Sequence, residues 1–356
     1  MFKQLLVAAR KSEHKHGGSG QRSALSGNRQ HLLTLILDHW SNLSTYVGKM
    51  VDMTDLTDKK HSAKFLTPEA FVKRLSLALP DFGSIEWAQA TGSSNDDLSQ
   101  RIKLGSAQPM PWLLGAHTQG DARGRAGRPW QNKAGDTLMF SCAFEPGVPL
   151  AQLPGLSPAL GVAACLALRQ LFAPLLGQHA CQTLALKWPN DLQWGASKLA
   201  GILVETAQRP GAHHPFLVVG IGLNLRGGRT LSTHLARDIA DVSEVLAGAR
   251  PGAGLGATDL CPSHIVSAIA IAWQKALDVY AATGYAAFQD LFHSVDVLAG
   301  VPVDIVDQGR VLQTGIAQGT DSIGRLLVQT ATVVAPILVG DVSVRPQPAP
   351  GPAATP

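Results

Sequence analysis

Apolar positions along the 356-residue chain fall into two textures. From about Leu66 to Phe292, runs of helical period are interleaved with short alternating or continuous apolar runs. From Val301 onward only short, valine-rich alternating runs remain. In the first stretch Thr67-Pro68-Glu69-Ala70 opens a helix, with Thr as N-cap and Pro in the first turn, followed by Phe71, Leu75 and Leu77. Ile85-Glu86-Trp87 reads as a strand. Ser93 or Ser94 starts a helix through Asp96 and Leu98. Pro111 to Ala116 and Thr137 to Phe144 read as strands flanking a Gly/Arg-rich loop. Leu156 to Leu175 is apolar nearly all round, the pattern of a buried helix. Strands follow at 183–188, 198–206 and His214 to Leu225, the first two joined by Pro189-Asn190-Asp191 and Gly195-Ala196. Asp238 to Ala247, His264 to Ala281 and Tyr285 to Phe292 are helical. Strands and helices without strict βαβ alternation predict an α+β fold, with a mixed or antiparallel sheet and flanking helices.

The valine-rich runs, Val301–Val306, Arg310–Gly319, Leu326–Thr330 and Thr332–Leu338, are mostly separated by Gly and Asp turns. They predict a small C-terminal β-barrel of about 50 residues. The two ends of the chain differ again. Residues 1–65 mix Gly, Ser and His with ten Lys/Arg against five Asp/Glu, and so carry the whole positive excess of a chain of net charge +4. They read as a poorly ordered extension, with Met50 and Met53 as alternative translation starts. Residues 346–356 form a Pro/Ala tail expected to be disordered. The expected divisions are therefore 1–65, 66–295, 296–345 and 346–356.

Composition removes several classes. Charged residues are 16% and apolar ones 45%, which argues against a charge-solvated disordered chain. No apolar run is expected to reach the length of a membrane span, since Leu156 to Leu168 is followed by Arg169 and holds Pro158. The N-terminal residues show no secretory signal. Cys142, Cys165, Cys181 and Cys261 are too sparse for a disulfide framework, and a cytoplasmic location follows as the expectation.

Three segments can carry chemistry. Arg123-Gly124-Arg125-Ala126-Gly127-Arg128-Pro129-Trp130 offers three guanidiniums and exposed backbone N–H groups to a carboxylate or phosphate. The same composition also suits an RNA-binding stretch or a solvated basic turn. Lys187-Trp188-Pro189-Asn190-Asp191, with Lys198 further on, places a carboxylate near two ammoniums at a hairpin apex. This arrangement suits a nucleotide and Mg²⁺, and equally an ordinary hairpin. Gly220-Ile221-Gly222-Leu223-Asn224 interrupts an apolar strand with glycines, which signals close approach by a ligand or by another part of the chain.

Taken together, their order and spacing resemble the catalytic module of the biotin–protein ligases. That family carries a GRGRxGRxW loop, a KWPND turn, a lysine eleven residues after the lysine of that turn, and a GIGxN strand. An STN-type segment lies upstream of the loop, matched here by Ser93-Ser94-Asn95. The small barrel, with Asp296 at its start, also agrees, so the resemblance covers about residues 66–345. Two departures stand out. Ala122 replaces the glycine before the first loop arginine, and Ser94 replaces the usual Thr.

The resemblance implies a catalytic fold like that of class II aminoacyl-tRNA synthetases with an SH3-like barrel. It implies activation of biotin with ATP and Mg²⁺ to biotinyl-5′-AMP, then transfer to a lysine of the biotin carboxyl carrier protein of acetyl-CoA carboxylase or a related carboxylase. On that basis Lys198 and Arg125 are the catalytic residues. Biotin falls to Ser93, Ser94, Asn95, Gln119, Arg123, Gly124, Arg125, Lys198, Gly201 and Gly220. The nucleotide falls to Arg123, Arg128, Trp130, Lys187, Asn190, Asp191 and Asn224, with Asp191 also toward Mg²⁺. Expected partners are the carrier protein and the two small molecules, with neither DNA nor membrane, in a monomer or homodimer. The alternatives are a lipoate– or octanoate–protein ligase, and a bifunctional ligase and DNA-binding repressor.

Overall fold

The computed structural model describes residues 66–248, 260–338 and 342–347. The expectations for residues 1–65 and for the tail from 348 onward lie outside these. The described chain builds two sheets. The larger has seven strands: β1 (Ser84–Thr91), β2 (Trp112–Gln119), β3 (Thr137–Phe144), β4 (Leu184–Lys187), β5 (Asp191–Trp194), β6 (Ser197–Ala207) and β7 (Phe216–Asn224). Their spatial order is β1-β2-β3-β7-β6-β5-β4. Only β1 and β2 run parallel, which makes the sheet mixed.

Helices cover both faces. On one lies α2 (Ser94–Leu104), whose Leu98 and Ile102 pack with Trp112, Leu114, Ala143 and Val218. Ser93 caps it by accepting from the Asp96 N–H, and Gly105 ends it in the left-handed region at φ 75°. The other face is covered by α3 (Leu156–Leu176) and α6 (Pro262–Thr283), which pack on each other. Trp273 of α6 lies 5.6 Å from the Phe140 ring and donates its indole N–H to Leu160 O at 3.2 Å. Next to β1 lies α1 (Pro68–Ala78), with Thr67 as its cap. Phe71 of α1 stacks on Trp87 at 3.8 Å. Phe71 and Leu75 of this helix are buried, whereas Leu77 is exposed.

The stretches Leu150–Leu176 and Pro262–Thr283 are long and apolar enough to cross a membrane. The expectation of no such run is therefore corrected. Both stretches are mainly buried within the fold, 83% and 67% over their most apolar windows. Arg169 does not break the first of them. Its guanidinium is buried and donates to Leu184 O (2.7 Å), Gln182 O (3.1 Å) and Ser294 O (3.3 Å), tying α3 to the start of β4.

Three short elements were not foreseen. α4 (Gly228–Leu235) precedes α5 (Val242–Ala247), so the expected helix from Asp238 starts later, on the Asp241 cap. β5 lies between the strands expected to pair directly. The second sheet, the small C-terminal barrel, gains a fifth strand. Its members are β8 (Pro302–Asp307), β9 (Arg310–Thr320), β10 (Leu326–Gln329), β11 (Val334–Ile337) and β12 (Ser343–Pro346), in the order β11-β10-β9-β8-β12.

The chain enters this barrel, after α7 (Gln289–His293), beside β4. Leu186 donates to Val295 O at 2.7 Å and accepts from Val297 N–H at 3.1 Å. Between them Asp296 accepts from Leu298 N–H through Oδ1 at 2.8 Å, while its buried Oδ2 has no partner among the described residues. Burial raises this carboxyl to about 6, against the lowering effects of the Leu298 N–H and His293. An unfolded carboxyl ionises near pH 4, so the folded chain holds an extra proton between about pH 4 and pH 6. The contribution of Asp296 to stability is thus full below about pH 4 and is lost as pH rises through about 6. Asp296→Asn is expected to stabilise the protein by about 2 kcal/mol at pH 8 and by much less at pH 4. Urea melts at both pH values check this, and an equal effect at the two would refute it.

Candidate active site

The Gly/Arg loop leaves the end of β2 and is closed at its neck by backbone. Trp130 N–H donates to Ala122 O and Gly124 N–H to Arg128 O, both at 2.8 Å. Ala122 lies outside the left-handed region, so the neck needs no glycine there. The loop turns at its tip instead, where Ala126 and Gly127 take φ 55° and 66°. The three arginines then part company. Arg123 grips Asp96 of α2 (Nη2 to Oδ1, 2.7 Å) and Glu205 of β6 (3.0 Å). Asp96 and then Glu205 raise the pKa of this guanidinium further above its already high ordinary value. Arg125 donates to Asn190 Oδ1 and to Val342 O, each at 3.3 Å. Arg128 donates to Ser343 Oγ on β12 at 2.9 Å. The loop therefore bridges the two sheets.

A polar pocket forms where α2 begins. Ser94 N–H donates to Gln119 Oε1 (3.1 Å), and Gln119 Nε2 returns a bond to Ser94 Oγ (3.0 Å). Ser94 Oγ meets Ser141 Oγ at 2.6 Å, and Ser141 Oγ donates to Asn95 Oδ1 at 2.6 Å. With the Ser141 proton spent on Asn95, Ser94 is the donor of the pair. Asn95 Nδ2 passes on to Glu205 Oε2 at 2.7 Å. This chain fits because Gly220 lies beneath it: a Cβ there would stand 2.3 Å from Asn95 Oδ1.

Two residues further along β7, a Cβ on Gly222 would meet the Trp130 indole at 2.5 Å. The indole lies on this glycine and on Gly201, its partner across β6. Lys198 Nζ stands 5.2 Å over the ring and 2.6 Å from Asp191 Oδ1. A β-bulge aims this lysine. Leu192 pairs with Ala200 but Gln193 with Lys198, so Leu199 is an extra residue on β6. Strict alternation would put Lys198 on the face opposite Gly201, and the bulge returns it to the cavity. The lysine backbone is fixed by Asp238 O, Ala240 N–H and Asn224 Nδ2.

The polar pocket, the Gly/Arg loop, Trp130 and Lys198 line one cavity of about 670 Å³. Seven cationic side chains line it, against the carboxylates Asp191 and Asp238. Lys187 on β4 faces Asp191 across the hairpin, and burial lowers its pKa, with Asp191 opposing. Lys187 and Lys198 do not sit on directly paired strands, because β5 separates them. The buried Trp130 indole N–H has no partner among the described residues, so a donor is held in the cavity wall. Among the described residues no three His, Cys, Asp or Glu side chains cluster as a metal cage. One carboxylate, Asp191, beside the ammoniums of Lys187 and Lys198 is nevertheless a donor set that suits Mg²⁺ arriving on a polyanion.

Ser93, Ser94, Asn95, Gln119, Gly124, Arg125, Arg128, Trp130, Lys187, Asn190, Asp191, Lys198, Gly201 and Gly220 all line this cavity. Arg123 lines it too, with its guanidinium engaged by Asp96 and Glu205. One expectation needs correcting. Asn224 lies behind the cavity, with its amide on the carbonyls of Lys198 and Ala240. The sequence reading missed Ser141, Glu205, Arg237, and the β12 residues Ser343 and Arg345. Alternation along β3 places Ser141 on the α2 face; β12 carries no comparable signal.

Comparison with known proteins agrees with this geometry. Residues 89–224 match the biotin/lipoate A/B protein ligase family. A biotin–[acetyl-CoA-carboxylase] ligase of Mycobacterium tuberculosis is 34% identical over 171 residues, 48% of this chain. That match spans 60% of the relative's length. A protein of the same description from Paracoccus denitrificans is 32% identical over 225 residues, covering 61% of this chain and 83% of the relative. The fold is also that of a biotin protein ligase from Aquifex aeolicus solved with biotin and ATP. That structure is 24% identical, with a TM-score of 0.57, covering 75% of this chain and all of the other. With 32% identity to a relative of which it covers 83%, the chain belongs to the biotin–protein ligase family.

Proposed function

We propose that this protein activates biotin with ATP and transfers the biotinyl group to a lysine of the biotin carboxyl carrier protein of acetyl-CoA carboxylase. The observation that carries this reading is the joining of a neutral polar pocket to a strongly cationic chamber inside one cavity. Biotin has a neutral ureido head and an anionic tail, and ATP is polyanionic, so the two halves of the cavity match the two ends of the reaction. A lipoyl dithiolane offers no donors or acceptors to the Ser94–Ser141–Asn95–Gln119 cluster, which favours the ureido ring.

In the first step a biotin carboxylate oxygen bonds to the α-phosphorus, and the bond to the bridging oxygen breaks to release pyrophosphate. The carboxylate is already ionised at neutral pH, so no general base is required. What is required is to hold two anions in line and to offset their charge. Lys198 is assigned to the carboxylate and α-phosphate. The bulge and three backbone contacts fix its stem, and Asp191 holds its ammonium. Lys187, Arg128 and Asn190 serve the phosphate side, and Trp130 provides an apolar wall with one free N–H. Asp191 would hold Mg²⁺, which supplies charge neutralisation at the phosphates.

In the second step the neutral amine of the carrier lysine attacks the acyl carbon. AMP leaves and the amine loses a proton. Arg125 is assigned to retaining the mixed anhydride, because it spans from the loop to Asn190 and to the chain just ahead of β12. This assignment goes with residues 66–295 as the catalytic unit and 296–345 as a barrel that closes its open side. Cys142, Cys165, Cys181 and Cys261 are all free thiols, which supports a reducing cytoplasmic setting.

Pyrophosphate release from ATP before any carrier is added tests the reading. It is expected with biotin and not with lipoate. Release with lipoate alone would assign the protein to the sister activity. Lys198→Ala is expected to slow biotin-dependent release by about 10³-fold, and near-wild-type release would remove its role. Arg125→Gly is expected to release free biotinyl-AMP and to raise labelling of bystander lysines several-fold, roughly the effect of losing one charged hydrogen bond. Unchanged labelling of added albumin would count against it.

A further inference from the structure

Glu205 lies seven residues beyond Lys198 on β6 and is not among the residues that line the cavity. It nevertheless meets both the polar pocket and the Gly/Arg loop. Its Oε2 accepts from Asn95 Nδ2 at 2.7 Å, at the end of the hydrogen-bond chain that runs Gln119–Ser94–Ser141–Asn95. Its Oε1 and Oε2 also accept from Arg123 Nη2 at 3.0 and 3.2 Å, at the neck of the Gly/Arg loop. Asp96 holds the same guanidinium from the first turn of α2, but with a side chain 56% exposed against 31% for Glu205. Asp96 makes the shorter contacts to the guanidinium, but Asn95 reaches Glu205, so Glu205 is the carboxylate that the pocket and the loop share.

We propose that Glu205 is a positioning residue that couples the head pocket to the loop, so that an ordered pocket and a seated loop neck favour each other. One carboxylate serves two donors from different elements. An ordered Asn95 fixes the carboxylate rotamer that also receives Arg123. A group filling the polar pocket orders Asn95, and the loop neck is thereby seated before Arg125 and Arg128 are needed at the tip. The proposal rests on the biotin-ligase reading, since it concerns retention of an activated biotin.

The two donors differ in what they require, and this gives the test. Asn95 needs only an acceptor oxygen, which Gln provides; Arg123 needs the charge. Glu205→Gln is therefore expected to keep KM for biotin within about twofold of wild type, yet to raise free biotinyl-AMP per pyrophosphate released by about 5–10-fold. Glu205→Ala is expected to show the same leak together with a KM for biotin raised about tenfold. Asp96→Asn removes a partner of the Arg123 guanidinium but leaves Glu205 for Asn95, and is expected to leak with KM for biotin within about twofold of wild type. Adenylate is measured by hydroxylamine trapping, with thermal melts on each variant; the isosteric Gln and the surface Asn variants keep the test open if the Ala variant does not fold.

Absence of biotin-dependent pyrophosphate release by the wild-type protein would remove the functional reading itself. With active wild-type protein, no leak from Glu205→Gln would overturn the coupling. So would Gln and Ala variants with the same KM for biotin, or a KM for biotin raised about tenfold by Asp96→Asn.

Discussion

Two absent methyl groups set the geometry of the site. Gly220 and Gly222 lie on a central strand, where a side chain would ordinarily strengthen packing. At each, something from another element occupies the space of a Cβ: Asn95 over the first, the Trp130 indole over the second. The strand thereby brings the start of α2 and the base of the Gly/Arg loop down onto the sheet at two adjacent places on one face. A methyl group at either position would lift one wall of the cavity by more than an ångström. The polar pocket and the cationic chamber would then no longer share a floor.

Along β6 the two halves of the cavity are held in register by a single rigid strand. Lys198 stands at one end, Gly201 under the indole, and Glu205 behind the polar pocket at the other. Seven residues of extended chain span roughly 20 Å, comparable to the length of a biotin joined to a nucleotide. The bulge at Leu199 is the one irregularity, and it changes which face the lysine uses without changing the strand's direction. The separation between the neutral and the charged ends is thus a property of backbone geometry, not of loop conformation.

Much of this was legible in the sequence where the signal is local. Thr137–Phe144 forms a strand with the expected limits, and the apolar run from Leu156 gives a buried helix. The loop, the hairpin and the Gly-x-Gly strand converge, as their resemblance to the ligase family implied. What was not legible depends on long-range pairing. Asp191–Trp194 pairs on both sides only because β4 and β6 flank it. α4 starts at Gly228 with no side-chain cap, and β12 is four residues long and ends at Pro346. The part played by Arg123 could not be read from its motif, because its acidic partners lie 27 residues before it and 82 after it. Ser141 looked like an ordinary strand residue until α2 was seen to lie against it.

A loop fastened at its neck by Arg123 and by the backbone pairs of Ala122–Trp130 and Gly124–Arg128 has only a short tip left to move. That tip is tied to the chain at and just ahead of β12 by two guanidiniums, Arg125 on Val342 O at 3.3 Å and Arg128 on Ser343 Oγ at 2.9 Å. Both ties spend a charged donor on a neutral acceptor. An anion in the cavity is the stronger acceptor for the same guanidiniums, so filling the site and letting go of the second sheet are competing uses of one pair of side chains.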